Sequence, residues 1–220
     1  MKRLIANEVS FAYDEEYTLE NISFTIQKGE GCILLAGDNG AGKSTLLNVL
    51  CGVLKIDEGE VIREGLHIAY LPFDSPLYEH LTVLDNLRYF YRCFQKKDFS
   101  LKDTFVQHIL QTLSIDYLNQ RMDQCSSGQR QKASIACVLL SGADMIILDE
   151  PFVAIDAKST QGLLELIVEM KKDTLFLITS HTIEELQVNT DRLLVLREHK
   201  LELDLHGQEE IQNYFKELKS

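Results

Sequence analysis

One nine-residue run, Gly37-Asp38-Asn39-Gly40-Ala41-Gly42-Lys43-Ser44-Thr45, constrains this chain more than any other. It fits G-x-x-x-x-G-K-[ST], the loop that holds the phosphates of a nucleoside triphosphate. Glycine lets the backbone turn tightly and approach a ligand without a Cβ in the way. Successive backbone N–H groups then make an anion nest, and the following helix points its positive end at the same phosphates. Lys43 is placed to reach the β- and γ-phosphates, and the Ser44 hydroxyl to ligate Mg²⁺. The flanks agree: residues 31–36 read as a short buried strand, and residues 44–51 as a helix with Leu46, Leu47, Val49 and Leu50.

The 220 residues suffice for one domain with a sizeable core and an inserted lobe. A formal net charge of -12 argues against a nucleic-acid partner, which needs a basic face. No apolar run approaches the roughly 18 residues of a membrane span. The N-terminus meets charged residues too soon for a signal peptide. The five cysteines form no C-x-x-C pair, so they read as free thiols of a reducing cytosol rather than as a metal site.

Residues 3–36 are rich in strand signals, with runs at 4–11 and 22–26 and a turn at 27–30. Further short strands are expected at 59–63 and 67–71. From Leu81 to Leu140 the pattern turns helical. Thr82-Val83-Leu84-Asp85 has the form of a capping box, and Phe105, Ile109, Leu110 and Leu113 mark a second helix. From Met145 strands and helices alternate, at 145–148, 159–171, 175–179, 183–188 and 193–196, as in a parallel sheet with crossover helices. The expected organisation is a single domain over 1–220, with a core of about 1–74 and 132–220 and a helical insert of about 75–131. The tail from Gly207 reads as a short charged helix with a solvated face.

Met145-Ile146-Ile147-Leu148-Asp149-Glu150 is an apolar strand ending in two acids. Such a strand delivers carboxylates to its C-terminal edge, where ligands bind in open α/β sheets. There Asp149 can hold Mg²⁺ through water, and Glu150 can accept a proton from a water attacking the γ-phosphate.

Three more pieces complete the pattern: Ser126-Ser127-Gly128-Gln129-Arg130-Gln131-Lys132 before a helix, Val153-Ala154-Ile155-Asp156 after Glu150-Pro151, and Ser180-His181 after the strand 175–179. In this order, with Tyr13 thirty residues before Lys43, the chain resembles the ATP-binding-cassette (ABC) ATPases from about Arg3 to Leu203. The resemblance implies an α/β P-loop NTPase with a mostly parallel sheet core, an N-terminal antiparallel β-subdomain and an inserted α-helical subdomain. It implies ATP and Mg²⁺ as ligands, with Tyr13 stacking on adenine. Ser126, Gly128 and Gln129 match the signature that contacts the γ-phosphate held by a second subunit. Asp156 matches the loop lying across the dimer interface, and His181 the switch histidine. Lys43, Glu150 and His181 then carry the chemistry. The partners implied are a second ATPase subunit, identical or not, and a transmembrane permease docking near Phe73–Glu79. Location is then cytoplasmic, peripheral on the inner face of the membrane.

The sequence departs from the family at several positions. Glutamine usually follows Tyr-Leu-Pro at the entrance to the insert, and here Tyr70-Leu71-Pro72 precedes Phe73. Phenylalanine offers neither an oxygen ligand nor a hydrogen bond. Cys125 stands where leucine is common, Ser127 replaces the first glycine of the usual pair, and Cys137 takes a position often held by arginine. Residues 70–72, 76–79 and 81–87 look most like exporter-type cassettes of bacteria. Two rival readings stay open: a weakly hydrolysing regulatory cassette paired with a more competent one, and a soluble cassette ATPase outside transport.

Overall fold

A computed structural model describes residues 2–14, 16–74, 77–180 and 189–217. The chain opens with two long strands, β1 (Arg3–Tyr13) and β2 (Glu16–Gln27), paired as an antiparallel hairpin. Strand β3 (Cys32–Gly37) leads into helix α1 (Lys43–Cys51). Strand β4 (Glu58–Glu64) returns to β1 and completes a three-stranded antiparallel sheet, in the order β2-β1-β4.

The larger sheet has the order β5-β6-β7-β3-β8-β9, with β5 (Ile68–Leu71), β6 (Met145–Leu148), β7 (Leu175–Thr179), β8 (Arg192–Arg197) and β9 (Lys200–His206). Strands β5 to β8 are parallel to their neighbours, and β9 is antiparallel to β8. Its central strands are apolar throughout because both faces are covered. Alternate side chains divide between two cores. Leu34, Ile146, Leu148, Phe176 and Ile178 face one, shared with most of the helices. Ile33, Leu35, Met145, Ile147 and Leu177 face the other, shared with α1 and the antiparallel sheet.

Between β5 and β6 lie α2 (Val83–Gln95), α3 (Thr104–Thr112), a 3-10 turn (Met122–Gln124) and α4 (Ser127–Leu139). Thr82 caps α2 as its position suggests, accepting from the Asp85 N–H at 3.1 Å. The Asp85 carboxylate accepts the Thr82 hydroxyl proton instead of closing a full box on the backbone. Asp103 caps α3 by accepting from the N–H groups of Phe105 and Val106. Helix α4 runs unbroken through residues 131 and 132, so a boundary between insert and core at that point falls inside a helix. Helix α5 (Ala157–Met170) is the crossover from β6 to β7.

One expectation from the sequence needs correction, and one strand is added. The tail helix, α6 (Gln208–Glu217), is not a wholly solvated element: Ile211 and Phe215 are 0% and 3% exposed and join the main core. Four residues apart, they form one apolar stripe on an otherwise charged helix. Strand β9 went unread. Its Leu201, Leu203 and Leu205 alternate with charges, which suits an edge strand covered on one face. The element expected at 183–188 lies outside the described residues. No helix among the described residues is long and apolar enough to cross a membrane.

Candidate functional site

The sheet order explains how distant motifs meet. β7 lies between β3 and β6, so the C-terminal ends of three parallel strands stand in a row. β3 delivers the loop Gly37–Thr45, β6 delivers Asp149 and Glu150, and Thr179 ends β7 between them.

Within the loop, three glycines hold positive φ: Gly37 at 151°, Gly40 at 83° and Gly42 at 100°. At Gly42 an added Cβ would stand 2.5 Å from the Thr18 carbonyl oxygen. That approach seats the β1–β2 hairpin against the phosphate loop. It also brings in Tyr13, at the hairpin tip, 53% exposed and edge-on to Phe11 at 4.8 Å. Gly42 caps α1 without a side-chain hydrogen bond, and the first turn of α1 holds no acid. The positive helix end is therefore left for an anionic ligand. Lys43 Nζ donates to the carbonyls of Gly37 at 2.7 Å and Asp38 at 3.0 Å, which keeps the ammonium inside the loop.

A cleft of about 350 Å³ opens here, lined by Thr18, six residues of the loop, Phe73 and Glu150. The members of Gly37–Thr45 on its wall are Asn39, Gly40, Lys43, Ser44 and Thr45, together with Gly42. Asp149 lies just behind, 2% exposed. The residue that sequence reading missed is Thr179. Its hydroxyl accepts the Glu150 N–H at 2.8 Å and donates to Asp149 Oδ1 at 2.7 Å, with no exposure of its own. Glu150 has φ 51°, a left-handed conformation that this bond helps to fix. A threonine at the end of an apolar strand carries no local signal of that role. The donor set suits the expected ligands: the Ser44 hydroxyl and Asp149 carboxylate are hard oxygen donors of the kind Mg²⁺ takes, and Lys43 with the helix N–H groups suits phosphate.

The signature residues lie outside this cleft. Ser126 and Gln129 form a complete capping box at the start of α4: Ser126 Oγ accepts from the Gln129 N–H at 3.2 Å, and Gln129 Oε1 accepts from the Ser126 N–H at 2.9 Å. The cap uses a lone pair of the serine oxygen and leaves its hydroxyl proton to be donated elsewhere. Ser126 and Ser127 are exposed, so this helix end faces outward. Gly128 packs against Ala154, and Asp156 caps α5 by accepting from the Ser159 N–H at 2.9 Å. Hydrogen bonds from Ser159 and Lys132 hold the Asp156 carboxyl well below the usual range.

At the entrance to the insert, Phe73 is 56% exposed on the cleft wall. Beyond it, the buried Asn86 side chain grips the Tyr78 backbone at both N–H and C=O. The Tyr78 ring stays on the surface, 5.0 Å from Tyr89. Ser75 and Pro76 lie outside the described residues, as does His181. The five cysteines are free, and burial pushes the thiols of Cys32, Cys51 and Cys137 up to about 12.

The family model described as "ABC transporter" matches residues 19–153, more than half of the chain. The chain belongs to the ABC transporter family. It is 31% identical over 212 residues to the spermidine/putrescine import ATP-binding protein PotA of Protochlamydia amoebophila (strain UWE25), covering 90% of this chain and 56% of that one. It is 30% identical over 217 residues to the SkfA peptide export ATP-binding protein SkfE of Bacillus subtilis (strain 168), covering 94% and 90%. A solved ATP-binding subunit of an ABC transporter superposes with a TM-score of 0.82 at 25% identity, over 97% of this chain and 93% of that chain. The chain spans between half and two thirds of the length of the first relatives it matches. The cassette is thus an ABC ATPase domain with the expected fold. Relatives at 31% and 30% identity are named for import and for export, so similarity leaves direction undecided.

Proposed function

We propose that this chain is the ATP-hydrolysing subunit of an ABC transporter, driving a separate transmembrane partner by ATP-dependent closure of two cassettes. The observation that carries the reading is the shared cleft, where Glu150 faces the loop that holds Lys43 and Ser44. Lys43 and the α1 N-terminus bind the phosphates, Tyr13 stacks on the base, and Ser44 with Asp149 would hold Mg²⁺. The metal supplies charge neutralisation on the phosphate oxygens. Glu150 takes the proton of the attacking water, and the Thr179 hydroxyl keeps its backbone in place. The outward-facing end of α4, Ser126–Gln129, completes the site of the second cassette, with Asp156 at the interface and His181 sensing the γ-phosphate. ATP then favours the closed pair because only that state contacts it from both sides.

The transmembrane partner docks near Phe73–Glu79, at the entrance to the insert of about 75–131, where Phe73 and the braced Tyr78 offer apolar anchors. The cassette then sits at the inner face of the membrane. Export is the direction favoured by the exporter-like segments 70–72, 76–79 and 81–87. The test is the rate of phosphate release per chain against chain concentration. A rate that rises as the pair forms is expected. A rate that stays constant in a chain shown monomeric by light scattering would sink the paired mechanism.

Phe73 on the cleft wall favours a second reading, a slow regulatory cassette. It brings a ring where a polar group could orient water. Phe73→Gln is therefore expected to raise kcat several-fold, on the order of the gain from one positioned polar group. An unchanged rate and Mg²⁺ dependence would show that Phe73 does not limit turnover.

A further inference from the structure

Helix α4 is fastened at three points to the chain that follows Glu150. A Cβ added at Gly128 would stand 2.5 Å from the Ala154 carbonyl oxygen, so the first turn of α4 rests directly on that backbone. Gln131 Nε2 donates to the Pro151 carbonyl at 3.3 Å. Lys132 Nζ donates to Asp156 Oδ2 at 3.2 Å. Lys132 is only 8% exposed, and its buried stem carries the ammonium to the more exposed Asp156 carboxylate.

The segment so fastened is strained. Glu150 and Ala154 both hold left-handed backbone, at φ 51° and 66°. A non-glycine residue keeps that conformation only where its surroundings over-determine it, at a cost of about 1–3 kcal/mol each. Thr179 fixes the near end of the segment through the Glu150 N–H. The far end, Pro151 to Asp156, is fixed by α4.

We propose that Gln131 and Lys132 are positioning residues for Glu150, holding the strained turn after it so that a shift of α4 is felt at the carboxylate in the phosphate cleft. Neither side chain lines the cleft, so they act through Pro151 and Asp156 rather than on the nucleotide. The inference rests on the ATPase reading and adds regulation to that site. α4 starts in the proposed insert and continues into the core, so movement of a docked partner reaches Glu150 along one rigid helix. Phe73, at the entrance to the insert, has no polar group for such a link.

The experiment compares steady-state phosphate release from Mg-ATP by the full chain, Lys132→Met, Lys132→Arg and Gln131→Leu, with a thermal melt of each. Lys132→Met is expected to lower kcat on the order of tenfold to a hundredfold, as small misplacements of a reacting group do. KM for ATP should stay within about twofold, because ground-state binding is untouched. Lys132→Arg should restore most of kcat, since guanidinium also reaches a carboxylate. Gln131→Leu removes a neutral hydrogen bond and should lower kcat without a lower melting temperature. It decides the matter if Lys132→Met does not fold. Unchanged kcat in the folded variants, beside an active wild type, would overturn the positioning role and leave the ATPase reading standing. A rise in KM with kcat unchanged would overturn it too. A wild type that binds ATP and never hydrolyses it would overturn both.

Discussion

Replacing Glu150 with glutamine is expected to lower phosphate release by about 10²–10⁴-fold, the range of a lost general base. The change is nearly isosteric and cannot accept a proton. The backbone N–H of residue 150 keeps its bond to Thr179, and the phosphate loop is unaltered, so ATP affinity should hold. With ATP bound and not consumed, the closed pair should persist. Single-turnover phosphate release and light scattering with Mg-ATP measure the two effects. A variant retaining more than about a tenth of wild-type turnover would assign the proton to another group.

Thr179→Val should produce the next largest effect, on stability and activity together. Valine has the shape of threonine without its hydroxyl, so packing in β7 is preserved. Both hydrogen bonds at Thr179 are lost, leaving a buried N–H at residue 150 and a buried Asp149 oxygen without that partner. Groups left unsatisfied in this way cost about 1–3 kcal/mol each. Denaturant unfolding should show that loss. Turnover should fall on the order of tenfold or more as Glu150 and Asp149 drift from position. Thr179→Ser keeps the hydroxyl and should recover most of the turnover. Equal stability and turnover in Thr179→Val and wild type would refute the bridging role.

Features with local causes were legible in the chain itself. The phosphate loop could be read because glycine spacing, Lys43 and Ser44 act within nine residues, next to the helix they open. The buried parallel strands showed as unbroken apolar runs such as Met145–Leu148. The cap at Thr82 lies three residues from its partner, and it formed. Features whose causes are distant in sequence were not legible. Alternating leucines in β9 and the Ile211/Phe215 stripe had meaning only once a neighbouring surface existed to cover them. Thr179 looked like one more strand residue, because Asp149 and Glu150 lie about thirty positions away.

By itself, then, the sequence determined that this chain holds a nucleoside triphosphate. The geometry of a glycine-rich turn and a helix start is short-range and needs no partner strand. Tertiary structure alone decided how that loop meets Asp149 and Glu150 in one cleft. Inserting β7 between β3 and β6 places the Thr179 hydroxyl between two motifs, and packing α4 against Pro151–Asp156 holds the strained turn after Glu150. Both arrangements depend on strand order and helix contact, which chain-local propensity does not encode.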